Sequence, residues 1–208
     1  AFCLLSSLAI LFIGFAVFTD LFRPQEMSGY DWLMRMRPAQ GASPEIVIIE
    51  ISDDTLKGLG AWPLPRDYHA ALVKALSESG CRMVVFDILL SEPGAADERL
   101  AQEMRSFGRV YLPCAFRLRP KRLGPKEVPP ASEVLAGVAD TLMPAAAGIG
   151  HINIFIDSDG KVRRIPLWVN YKGKLFPALG LLAAKRYLGG AARKIPLDYR
   201  GALWVNYP

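Results

Sequence analysis

The first eighteen residues constrain this chain most. From Ala1 to Phe18 fifteen residues are apolar, the exceptions being Ser6, Ser7 and Gly14, and no charge appears before Asp20. At about 1.5 Å per residue, a helix of that length reaches roughly 27 Å, enough to span a hydrocarbon core. A buried core helix would carry a polar stripe, and none is present. A cleaved signal peptide would end on a small-x-small site, whereas this run leaves through Ala16-Val17-Phe18-Thr19-Asp20. Residues 1–22 therefore read as an uncleaved transmembrane helix. Arg23, Arg35 and Arg37 follow it closely, which by the positive-inside rule favours a cytoplasmic flank. Only one flank of the run is in the sequence, so charge does not fix the topology.

The rest of the chain is an ordinary globular sequence. Of 208 residues, 51% are hydrophobic and 22% charged, which excludes both a disordered tail and a multi-span membrane protein. A formal charge of +5 is too small to imply a nucleic-acid partner. Three cysteines are too few for a disulfide scaffold or a structural zinc site, and His69 and His151 lie too far apart for a two-histidine metal motif.

Residues 23–44 read as a juxtamembrane connector with an amphipathic patch over residues 30–37, broken by Pro38, Gly41 and Pro44. Ile46-Val47-Ile48-Ile49-Glu50-Ile51 has the composition of a strand covered on both faces. A loop over 52–65 leads into a helix with Tyr68, Leu72, Ala75, Leu76 and Ser79 on one stripe, stopped by Gly80. Met83 to Leu90 is a second buried strand. A helix from about Ala96, with Leu100, Met104 and Phe107 inward, ends at Gly108, and Val110 to Phe116 is a third strand.

This βαβαβ pattern predicts a parallel sheet in the order 1-2-3, with Pro113 tolerated because its strand lies at an edge. Residues 117–130 hold five basic residues and four prolines without interleaved aromatics, as expected of a solvated loop. A short helix is expected near 132–139. An antiparallel hairpin follows over 151–171, turning at Asp157-Ser158-Asp159-Gly160, with His151 and Asn153 on its polar face. Pro177 opens a third helix, Gly189-Gly190 closes it, and a last strand pattern over 202–207 is still running at the final residues, so the domain over 45–208 is expected to be C-terminally incomplete. The expected fold is α/β: a transmembrane helix, then a three-layer domain with a mixed sheet.

Candidate chemistry is sparse. Asp53, Asp54 and Asp87 belong near the carboxyl ends of the parallel strands, where open α/β sheets bind ligands. Three acids there suit Mg²⁺ in an enzyme or a phosphoacceptor, or else helix capping and an ion pair with Arg66. The residues 157–160 fail the EF-hand template, which needs acids where Phe155 and Pro166 stand. No nucleophile motif, phosphate loop or metal-ligand motif is present, so no catalytic residue, metal or cofactor is assigned. Cys81 and Cys114 lie about six residues apart along adjacent strands, roughly 20 Å, so both should be free thiols, with Cys3 in the lipid.

Several segments together carry a resemblance. They are Ile46 to Asp54; Leu59-Gly60-Ala61-Trp62-Pro63-Leu64-Pro65-Arg66 through Ala70; Val84-Val85-Phe86-Asp87-Ile88 through Pro93; Asp97-Glu98-Arg99-Leu100-Ala101; and Gly150 to Leu167. The chain resembles the type-two CHASE domain (CHASE2), a sensory extracellular module of bacterial receptors, over roughly residues 25–208.

The resemblance implies an extracytoplasmic, periplasmic sensor anchored in the inner membrane and regulating a cytoplasmic output. That output is expected to be an adenylate or guanylate cyclase, or alternatively a histidine or serine/threonine kinase. The expected partners are the lipid bilayer, an extracytoplasmic ligand and further copies of the chain, with no nucleic acid. The candidate ligand and signalling residues are Trp62, Arg66, Asp87, Asp53, Asp54, His151 and Asn153. A metal-dependent enzyme using the three acids, or a purely structural assembly module, is the alternative of another class.

Overall fold

The computed structural model describes residues 7, 11, 14–15, 23–38, 41, 43–119, 127–190, 195–198 and 201–205. The transmembrane expectation falls on residues 1–22 and lies almost wholly outside these. Among the described residues no helix is long and apolar enough to cross a membrane. The chain divides into two units at Ile48/Ile49. The first contains helix α1 (Arg23–Met36), on which Met27 is buried and Trp32, Leu33 and Met36 are exposed. The connector is thus helical along most of its length.

The second unit is mixed α/β. In chain order it contains α2 (Asp53–Leu59), α3 (Arg66–Glu78), β1 (Val84–Val85), α4 (Asp97–Phe107), β2 (Val110–Leu118) and β3 (Ala131–Ala136). A 3-10 turn (Met143–Ala145) leads to β4 (Gly148–His151). Then come β5 (Phe155–Ile156), β6 (Val162–Pro166), β7 (Trp168–Tyr171), β8 (Lys174–Pro177), α5 (Leu179–Tyr187) and β9 (Ala202–Trp204). β2 is the spine: β1 and β4 pair with it in parallel and β3 pairs antiparallel. The strands β5-β6-β9 form a second sheet and β7-β8 a hairpin.

Local chemistry accounts for the helices. Ser52 caps α2 through Oγ, which accepts from Thr55 N. α4 begins on Asp97 and Glu98, suited to the positive end of the helix dipole, and ends where Gly108 adopts the left-handed conformation at φ 70°. Its Leu100, Ala101, Met104 and Phe107 pack with Ala70 and Val73 of α3 against Phe86, Val110 and Leu112 of the sheet. Side chains alternate along a strand, so Tyr111 points to the opposite face, where Leu182 of α5 approaches Gly148. The expected three layers are present. The inward stripe of α3 is His69, Ala70 and Val73, rotated from the expected one, and Tyr68 is exposed.

Four expectations are corrected. Ile46–Ile51 forms no strand, and Ile46, Val47, Ile48 and Ile49 are 50 to 86% exposed. β-branched composition favours a strand only where a neighbour completes the ladder. Pro113 lies in the central strand, not an edge. Tyr111 O accepts from Phe86 N on the β1 side and Cys114 O accepts from Ile152 N on the β4 side, so odd-numbered residues face β1. Pro113 presents its missing donor to that side, and β1 ends after Val85.

Residues 131–136 form strand β3, not a helix, because their backbone pairs with β2 from Ala115 to Leu118. The expected return strand over 165–171 is split: β6 pairs with β5 and β9, while β7 pairs with β8. The turn at 157–160 is as expected, closed by Asp157 N donating to Lys161 O.

α5 sits on β4 with almost no clearance. A Cβ at Gly150 would lie 2.6 Å from Leu179 Cα and 2.9 Å from Leu179 N, both backbone atoms that cannot swing away. Gly150→Ala is therefore expected to destabilise the domain by about 1–3 kcal/mol. Gly137→Ala, whose Cβ meets only Val134 at 3.7 Å, is the comparison. Equal urea midpoints for the two variants would contradict this packing.

Candidate functional site

The carboxyl edge of the parallel strands is where the candidate residues were expected to meet. Arg66, the first residue of α3, does find an acid there, but the acid is Asp97. Arg66 Nε donates to Asp97 Oδ1 at 3.0 Å and Nη2 donates to the Glu92 carbonyl oxygen at 3.1 Å. Asp97 Oδ2 accepts from Gly94 N at 2.8 Å. The pair is nearly dry, with side-chain exposures of 13 and 5%. It ties the first turn of α3 to the loop entering α4. Asp87 is exposed at the end of the β1 segment and does not reach Arg66.

The other acids stand apart. Asp53 and Asp54 are exposed in the first turn of α2, a helix with no buried residue, and Asp54 pairs with Lys57 at 2.7 Å. Among the described residues no group of three or more His, Cys, Asp or Glu is placed to hold a metal ion. Trp62 is 52% exposed, while Leu64 beside it is buried.

His151 and Asn153 are brought together, and not on a hairpin face. His151 is the last residue of β4, opposite Cys114 of β2, and its backbone bridges to Ala178 before α5. It is 1% exposed. Its Nδ1 accepts from Asn153 N at 3.2 Å, and its Nε2 meets no hydrogen-bond partner among the described residues. Burial holds the imidazole pKa down at about 4. The Asn153 side chain then does what a continued strand would do: Oδ1 accepts from Phe116 N at 3.0 Å and Nδ2 donates to Phe116 O at 2.6 Å. Where β4 stops, one amide side chain completes the edge of β2.

His69, also buried, meets Phe86 edge-on at 5.9 Å between ring centres; burial and then the Arg66 charge lower its pKa. Cys81 and Cys114 are free thiols, as expected, and burial pushes Cys114 up to about 12, which makes it a poor nucleophile.

A charged cluster under the β5–β6 turn was missed in the sequence. Asp157 accepts from Arg163 Nη1 at 3.0 Å and from Arg164 Nη2, with all three side chains buried. Arg163 also binds Asp159 at 2.6 Å, which holds that carboxyl down at about 2, and Arg164 lies 3.7 Å from Asp198. The signal was present: two acids at 157 and 159 facing two arginines at 163 and 164 across a tight turn.

A family model described as the CHASE2 domain matches residues 6–208. No curated protein and no solved structure matches the chain.

Proposed function

The chain belongs to the CHASE2 family of sensory domains, and from that premise we propose that it is the extracytoplasmic sensor of a bacterial inner-membrane receptor, regulating an attached nucleotide cyclase. The observation that carries the proposal is the reach of the family match, from within the uncharged run through the whole α/β unit. The run supplies an anchor of the right length. Arg66 with Asp97, and Asn153 with Phe116, fasten loops to rigid elements, as the transmission of a binding event requires.

Alkaline phosphatase fused after residue 208 is expected to be active, since it folds only outside the cytoplasm. A bright green fluorescent fusion at the same point, with an inactive phosphatase, overturns the extracytoplasmic placement. In membranes carrying the whole receptor, deletion of residues 45–208 is expected to change the rate of cyclic nucleotide formation from ATP or GTP. Phosphotransfer without cyclic nucleotide replaces the cyclase with a kinase.

A further inference from the structure

We propose that His151 is the trigger of an acid-released latch, in which the Asn153 side chain fastens the chain entering β5 onto strand β2. Three geometric facts carry this. Asn153 satisfies both backbone groups of Phe116 just past the end of β4. The Asn153 main-chain N–H is itself aimed at His151 Nδ1, which accepts only while that nitrogen is unprotonated. The ring is fully enclosed, and Nε2, which carries the proton of the neutral ring, lacks a partner among the described residues, so the doubly protonated ring gains no compensating acceptor there.

Protonating Nδ1 sets one N–H against another. The bond to Asn153 N is lost, a charge is left buried away from water, and the release of residues 152–154 relieves both. Among the described residues, no acid on the elements packed against β4 offsets this. The titratable groups on the elements packed against β4 are Tyr111, Cys114 and Arg117 on β2, Lys174 on β8, and Lys185, Arg186 and Tyr187 on α5. Burial alone lowers the His151 pKa.

The sign follows from linkage. The released ring takes up its proton near the ordinary 6.5 and the enclosed ring only near about 4. The open form therefore binds more protons between those values. The latch is shut above 6.5, and its opening constant rises about tenfold per pH unit as pH falls from 6.5 to about 4, where the gain levels off. In the sensory domain proposed above the stimulus would be protons. That last step rests on the sensory reading; the latch itself is read on the chain alone, so it fails independently of the fusion experiment.

The test is hydrogen–deuterium exchange of the whole chain across that pH range, corrected for the intrinsic chemical rate. Protection at the Phe116 and Asn153 amides is expected to fall about tenfold per unit while that of Val73 and Met104 holds. His151→Gln, which cannot be protonated, is expected to flatten the dependence, and His69→Gln to leave it intact. Loss of protection at Phe116 in step with Val73, or an unchanged dependence in His151→Gln, overturns the latch. Should His151→Gln fail to fold, ring resonances of the wild type decide: the His151 titration must share its midpoint with the Phe116 change, and separate midpoints overturn the proposal.

Discussion

Asp157→Ala is expected to lower the stability of the domain by about 3–5 kcal/mol, more than the loss of any other single side chain. Asp157 is 1% exposed in its side chain and is shared by Arg163 and Arg164, which are themselves buried. Removing the carboxylate leaves two guanidinium groups in a dry environment. Arg163 keeps Asp159 at 2.6 Å, but that acid is 41% exposed and its attraction is screened. Arg164 keeps only Asp198 at 3.7 Å as an ionic partner among the described residues. Asp157→Asn retains an acceptor of the same shape and should cost roughly half as much. Asp157→Leu combined with Arg164→Met should recover most of the loss, since a packed apolar pair avoids desolvating two charges. Urea denaturation of the four proteins measures all of this, and a loss below about 1 kcal/mol for Asp157→Ala would show that the cluster is solvated.

How much of this was legible follows from the range over which each feature is determined. The ends of α3 and α4 were readable because capping is local: Gly80 and Gly108 stop their helices within a few residues of the last inward side chain. The Asp157–Gly160 turn was readable for the same reason. Ile46–Ile51 and residues 131–136 went the wrong way because a strand is a property of a pair. The first had strand composition without a ladder, and the second had helix formers beside an open edge of β2. Asn153 as a strand surrogate was not legible at all. Its role depends on β4 stopping at His151 while β2 runs on to Leu118, a relation between residues 37 apart in sequence.

The choice of partner for Arg66 is the sharpest such case, and it gives the second large effect. Asp97→Ala is expected to cost about 3 kcal/mol, whereas Asp87→Ala should stay within about 0.5 kcal/mol. Both acids lie near the same end of the fold, and both are close to Arg66 in the topology. What separates them is direction. Asp87 leaves the β1 segment on its exposed side, while Asp97 opens α4, the helix that packs along α3, and so faces the first turn that carries Arg66. Losing Asp97 strands a guanidinium that is 13% exposed and also frees Gly94 N, which donates to the same carboxylate. Arg66 retains the Glu92 carbonyl, which places the cost toward the low end for a buried pair. Asp97→Asn, able to accept from Gly94 N but not to neutralise Arg66, should fall between the two. Thermal melts of wild type, Asp87→Ala, Asp97→Asn and Asp97→Ala are expected to fall in that order. If Asp87→Ala melts as low as Asp97→Ala, the guanidinium is shared between the two acids, and the loop entering α4 is held by something other than this pair.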